Sequence, residues 1–96
     1  QTLLMETLKK INLINGEFNS FEAREILMDM CNKNINFNKV QNFSSQIRFG
    51  EDDEQALHRI DQLKESVAHI SEILEEAKAH NRKLKIKSFI EIEYED

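Results

Sequence analysis

An apolar repeat in the second half of the chain constrains the fold more than any other feature. Its members are spaced alternately by four and three residues, and they are Ala56, Ile60, Leu63, Val67, Ile70, Leu74 and Ala77. This spacing puts every member on one narrow face of an α-helix, because seven residues make almost two turns. The sequence therefore predicts a long helix over residues 52–81 that packs against a helical partner.

Both ends of this predicted helix carry recognisable signals. Gly50 interrupts the preceding segment, and the acidic residues that follow it suit the positive end of a helix dipole. At the other end basic residues crowd the last turn, and Asn81 can adopt the left-handed conformation that ends a helix.

Residues 83–94 alternate between apolar and charged side chains, which predicts a β-strand with one buried face. On the charged face the first half is lysine and the second half is glutamate, with Phe89 between them. Aligned antiparallel with a second copy about Phe89, each lysine would lie opposite a glutamate of that copy. The residues of this predicted dimer interface are Lys83, Lys85, Lys87, Phe89, Glu91, Glu93 and Glu95.

Each such cross-strand pair contributes about 0.2 to 1 kcal/mol. Lysines after a helix and glutamates near a chain end are both common, so this order of charges can also arise by chance. The competing interpretation is therefore that the strand pairs with another strand of its own chain.

The N-terminal half predicts two shorter helices. Leu4, Leu8 and Ile11 share one side of a helix over residues 2–14, which would end at the turn-forming pair Asn15-Gly16. A second helix is predicted over residues 21–33, with Ser20 as its N-cap. This second helix is the candidate intramolecular partner of the long helix, in which case the apolar repeat is core and not a dimer interface.

Residues 34–49 fit two templates. Asparagines alternate with other residues at the start of this segment, which favours a short strand over 34–38, whereas Val40, Phe43 and Ile47 have helical spacing. We expect a brief extended piece followed by a helix, with a hairpin as the alternative.

The same region contains a dense mixture of hydroxyl, amide, guanidinium and aromatic groups, which is typical of a partner-binding surface. Its candidate residues are Phe43, Ser44, Ser45, Gln46 and Arg48. The alternative is that the phenylalanines pack beneath a helix junction and the polar residues face water.

Length and composition set the remaining expectations. Ninety-six residues suit a single small α+β domain, predominantly helical, whose stability draws on oligomerisation. A net charge of -5 disfavours nucleic acid as a partner, although Arg82 and the lysines after it form one basic cluster. The single Cys31 and the lack of a long apolar run indicate a reducing, cytoplasmic location and no membrane span.

Chemical motifs are few. Three Glu-x-x-x-His pairs recur every 11 residues, namely Glu54 with His58, Glu65 with His69 and Glu76 with His80. Successive pairs lie about 16 Å apart along a helix, so they cannot share one metal ion. The sequence therefore predicts no catalytic residue, metal or cofactor. It favours a non-enzymatic homodimer, an interaction or regulatory module that self-associates through the C-terminal strand and the long helix, over a nucleic-acid-associated regulator or a metal-dependent enzyme.

Overall fold

A computed structural model describes residues 8–95, which form two helices and one two-stranded antiparallel sheet. In chain order the elements are β1 (Leu8–Phe18), α1 (Ser20–Phe49), α2 (Glu54–Ala79) and β2 (Leu84–Glu93). The predominantly helical α+β class is confirmed. The expected three helices are wrong, because the first of them is a strand over its described part and residues 34–49 belong to α1.

Helix α1 confirms that residues 21–33 are helical, but the helix continues through residues 34–49. The short strand expected over 34–38 and the alternative hairpin are therefore wrong, whereas the helix expected after that strand is confirmed. The N-cap of α1 is Asn19 and not Ser20: the Asn19 side chain accepts a hydrogen bond from the Glu22 backbone at 2.8 Å, and the Glu22 carboxylate accepts one from the Asn19 backbone at 3.0 Å. This reciprocal capping box satisfies two backbone donors that the helix leaves free. The helix ends at Gly50, whose φ of 70° lies in the left-handed region that glycine adopts without strain.

Helix α2 confirms the long helix, with bounds two residues inside those predicted at each end. Asp53 caps its N-terminus, and Asn81 has the expected positive φ, 51°. The apolar repeat faces α1 and forms the core of a helical hairpin, so the expected intramolecular partner is confirmed. Ile35 of α1 packs with Ile60 and Leu63 in that core. The Arg24 guanidinium adds an exposed ion pair across the two helices, 3.0 Å from the Glu75 carboxylate.

The strand predicted over 83–94 is confirmed as β2, whereas the helix predicted over 2–14 is wrong over residues 8–14, which belong to β1. Residues 2–7 of that helix lie outside the described residues. The register pairs Ile11 with Ile90 and Ile14 with Ser88, so Leu13 is an extra residue in a β-bulge. A bulge puts two residues three apart on the same face, which is also the spacing of a helix. The sequence pattern was therefore misleading at this position.

The two strands form a ribbon whose halves differ in burial. We call residues 14–18 and 84–88 the inner half, and residues 8–13 and 89–93 the outer half. The apolar face of the inner half is half-buried, whereas the outer half is exposed on both faces. Ile92 in the outer half is 53% exposed. The helices therefore cover only the part of the ribbon nearest to them.

The structure is extended and not compact. Its extents are 49 × 43 × 15 Å, and its radius of gyration is 17.3 Å, whereas a compact chain of this length has about 12.5 Å. Most domains bury their apolar faces between two layers, whereas the described residues leave many large apolar side chains exposed.

None of the helices in the described part of the chain combines the length and the apolar character needed to cross a membrane.

Candidate self-association surface

Strand β2 has one bonded edge and one open edge. Its bonded edge pairs with β1 from Leu84 to Glu93, so the alternative of an intrachain partner is realised. Among residues 8–95 the sheet has two strands, and the other edge of β2 therefore carries no strand from those residues. An unpaired edge offers a row of backbone donors and acceptors to another strand.

The predicted interface residues lie together on one face of this open-edged strand. All of them are exposed, and five lie within β2 with one at each flank: Lys83, Lys85, Lys87, Phe89, Glu91, Glu93 and Glu95. The structure thus brings these side chains together on the face that points away from the apolar side of the ribbon. It contains a single chain, so the pairing of two copies stays a prediction.

Strand β1 complements part of this charged face. Lys10 lies opposite Glu91, and Glu17 lies opposite Lys85. The Lys10 ammonium is also 4.6 Å from the centroid of the Phe89 ring, which is a cation–π contact across the ribbon. Opposite charges at facing positions stabilise an antiparallel pair, so the chain itself uses two of the charges in the lysine-to-glutamate order. The acidic Glu17 also lies beside the lysines of the basic cluster on which the nucleic-acid alternative depended.

Two of the predicted interface charges within β2 face an uncharged residue of β1. Lys87 faces Asn15, and Glu93 faces Leu8. In the predicted twofold pairing, Lys87 would lie opposite Glu91 of the second copy, and Glu93 opposite Lys85 of that copy. These positions distinguish the two pairings and are suitable for testing them.

A groove lies where β2 begins beside the C-terminal end of α2. It has a volume of about 450 Å³, and it is lined by Ile73, Glu76, Ala77, His80, Arg82, Lys83 and Leu84. Its floor is apolar and its rim is charged, which is the usual composition of a site that holds an amphipathic side chain. Ile73 is 55% exposed in this groove although it lies on a helix of the core. Sequence reasoning missed the groove, because its residues come from α2, from the connection and from β2.

The predicted partner-binding stretch lies at the C-terminal end of α1, near the turn between the helices. Gln46 has a structural contact there, since its side-chain amide donates to the Asp52 carboxylate at 2.6 Å. The Asn42 side chain accepts a hydrogen bond from the Asp53 backbone at 2.6 Å, and it fixes the same turn. The stretch therefore partly serves to hold the hairpin turn.

The aromatic part of that stretch does not pack beneath the helix junction. Phe43 is 62% exposed, Arg48 is exposed, and Ser44 and Ser45 are half-buried. Phe43 borders an exposed apolar stripe on α1 that contains Met30, Phe37, Val40 and Ile47. Sequence reasoning noted the helical spacing of Val40 and Ile47, but it did not join them to Phe37 and Met30. The spacing of seven residues from Met30 to Phe37 and from Val40 to Ile47 was the signal that could have revealed the stripe.

The histidine and cysteine candidates do not converge. The three Glu–His pairs lie along the exposed side of α2, and His80 contacts a backbone oxygen, with its Nδ1 3.1 Å from the Glu76 carbonyl. Between residues 8 and 95 no three His, Cys, Asp or Glu side chains are placed to hold one metal ion. Cys31 is a free, half-buried thiol on α1.

Comparison of the chain with protein-family models, curated proteins and solved structures finds no match.

Proposed function

We propose that this chain functions as a non-enzymatic homodimer, an interaction or regulatory module whose two copies join along the open edge of β2. The two β2 strands would run antiparallel about Phe89 and combine two ribbons into one four-stranded sheet. This is the pairing that the order of charges on β2 predicts. Since the apolar repeat of α2 already packs against α1, the proposal assigns self-association to β2 and not to that repeat.

The observation that carries the proposal is the large uncovered surface. The accessible area is 8086 Å², whereas a compact monomer of 11.3 kDa has about 5,700 Å². The excess of about 2,400 Å² is larger than the 800 Å² or so that each partner buries in a standard interface. A second copy could therefore cover a full interface without opening the fold.

The two apolar faces also agree with this pairing. In an antiparallel register about Phe89, Ile86 of one copy lies opposite Ile92 of the other, on the same side of the sheet. Ile86 is half-buried beside its own helices, and Ile92 is exposed. The half-buried inner half of each ribbon would thus lie next to the exposed outer half of the other. The helical hairpin of one copy would then lie near the exposed apolar residues of the second copy's ribbon.

The direct test is the mass of the protein in solution across concentrations from low to high micromolar. Light scattering coupled to gel filtration, together with sedimentation equilibrium, should give a mass of two chains that falls toward one chain on dilution. A protein that remains a monomer at high micromolar concentration contradicts the proposal.

A further inference from the structure

We infer that the groove at the start of β2 receives the Tyr94 side chain of the second copy. This inference rests on the proposed pairing of β2 strands, and it identifies the contact that fixes the register of that pairing. The occupant is an aromatic ring with a polar tip, and each dimer contains two such contacts because the pairing is twofold.

The register places Tyr94 at the groove. When two β2 strands run antiparallel about Phe89, position 94 of one copy lies opposite position 84 of the other. Leu84 lies on the apolar face of β2, and Tyr94 directly follows the strand with the same alternation, so the pairing would extend by this one residue. Residues directly opposite have Cβ atoms about 4.5 to 5.5 Å apart. Leu84 itself lines the groove. The Tyr94 ring of the second copy would therefore begin beside the groove wall.

Within one copy the Tyr94 ring and the Ile73 side chain in the groove both remain exposed. Tyr94 is 80% exposed, the highest value among the large apolar and aromatic residues that are exposed in the described part of the chain, and Ile73 on the groove floor is more than half exposed. An aromatic ring buries about 150 to 250 Å² when it is covered. A ring placed over Ile73 and Ala77 would cover the exposed surface of Ile73 and its own surface at once.

The rim of the groove suits the phenol group. Tyrosine has an apolar body and a hydroxyl that needs a hydrogen-bond partner when it is covered. Glu76 and His80 lie on the rim, and His80 contacts the Glu76 carbonyl through Nδ1, so its Nε2 atom points elsewhere. The carboxylate or the imidazole can therefore bond the hydroxyl while the ring lies on the aliphatic floor.

The composition of the chain makes the test specific. Tyr94 is the single tyrosine, and there is no tryptophan, so tyrosine emission reports on this side chain alone. For the wild-type chain we expect iodide to quench this emission weakly at concentrations where the dimer forms, and strongly after dilution to the monomer.

Substitution measures the contribution of the contact. Tyr94→Ala should weaken the dimer roughly 100-fold, because two rings are removed per dimer and truncation of a buried aromatic anchor costs about tenfold in affinity. Ile73→Ala should weaken it in the same direction, and the two changes together should cost less than the product of their separate effects, since both remove one contact. Phe49→Ala is the matched control, because Phe49 is also a highly exposed aromatic residue, at 71%, and it lies at the end of α1 that is far from the groove.

The outcomes separate this inference from the proposal beneath it. A wild-type chain that stays monomeric overturns the dimer itself. A dimeric wild type whose tyrosine remains fully open to iodide, and whose affinity survives Tyr94→Ala as well as Phe49→Ala, overturns the groove contact but not the dimer. Thermal melting of dilute, monomeric Tyr94→Ala should match that of the dilute wild type, which shows that the change acts on association and not on folding.

Discussion

Reversing the charge at position 87 gives the sharpest test of β2 pairing. Lys87 faces Asn15 in its own chain, so Lys87→Glu removes no cross-strand charge pair from the monomer. In the proposed dimer, however, position 87 of each copy faces Glu91 of the other. The substitution therefore converts two attractive pairs into two repulsive ones for each dimer.

The expected magnitude follows from the exposure of these side chains. An exposed cross-strand charge pair contributes about 0.5 kcal/mol, and repulsion between like charges costs a similar amount. Each pair then changes by about 1 kcal/mol, and the dimer by about 2 kcal/mol, which is roughly a 30-fold increase in Kd. The effect should shrink at about 1 M salt, where charges more than about 3 Å apart are screened.

A second variant should restore the affinity that Lys87→Glu removes. Glu91→Lys also reverses the pair, and Lys10→Glu made with it preserves the charge match between β1 and β2. This double variant should likewise self-associate poorly. Mixed with the Lys87→Glu chain, it should form a heterodimer with wild-type affinity, because all the cross-copy pairs between positions 87 and 91 are again of opposite charge.

Sedimentation of each chain alone and of the equimolar mixture measures these affinities. The control is Lys39→Glu, which makes the same change in net charge at an exposed position on α1. The reasoning is refuted if Lys87→Glu weakens the dimer no more than Lys39→Glu does, or if the mixture contains no heterodimer.

Two further predictions concern the helical hairpin, and both are measured by urea unfolding of dilute protein. Leu74 is only 1% exposed and is the largest fully buried side chain in the described part of the chain, so Leu74→Ala should lower the free energy of unfolding by about 2 to 5 kcal/mol; a loss below about 1 kcal/mol would mean that the site collapses around the smaller side chain or is not core. Asn42→Ala removes the acceptor for the Asp53 backbone and should cost about 1 to 2 kcal/mol, whereas the control Asn36→Ala, at an exposed position of the same helix, should cost less than about 0.5 kcal/mol.

The elements that could be predicted from sequence are those with one clean period. The apolar repeat from Ala56 to Ala77 has a single buried face, and the alternation in β2 has no interruption, so each pattern led to the correct element. In each of these two elements a single apolar period is maintained over the full length of the element.

The elements that could not be predicted have two overlapping patterns. On α1 the side facing α2 includes Asn38, Asn42 and Ser45, which are half-buried, while Phe37 and Val40 lie exposed on another side. Over residues 34–49 apolar periodicity therefore followed the exposed stripe and not the packed one. In β1 the bulge at Leu13 changed the period of two into a spacing of three, which imitates a helix.

The order of charges on β2 can be read from the sequence, but the strand that supplies the opposite charges cannot. Both β1 and a second copy of β2 can supply them. Strand β1 matches Lys85 with Glu17 and Glu91 with Lys10, so half of the pattern within β2 has an explanation inside the chain. An intrachain ribbon alone gives no reason for the charges at Lys87 and Glu93, which face an asparagine and a leucine. Pairing with a second copy gives each of them an opposite charge. A second copy therefore accounts for the part of the pattern that the monomer leaves unexplained, and position 87 is where the two explanations give different results.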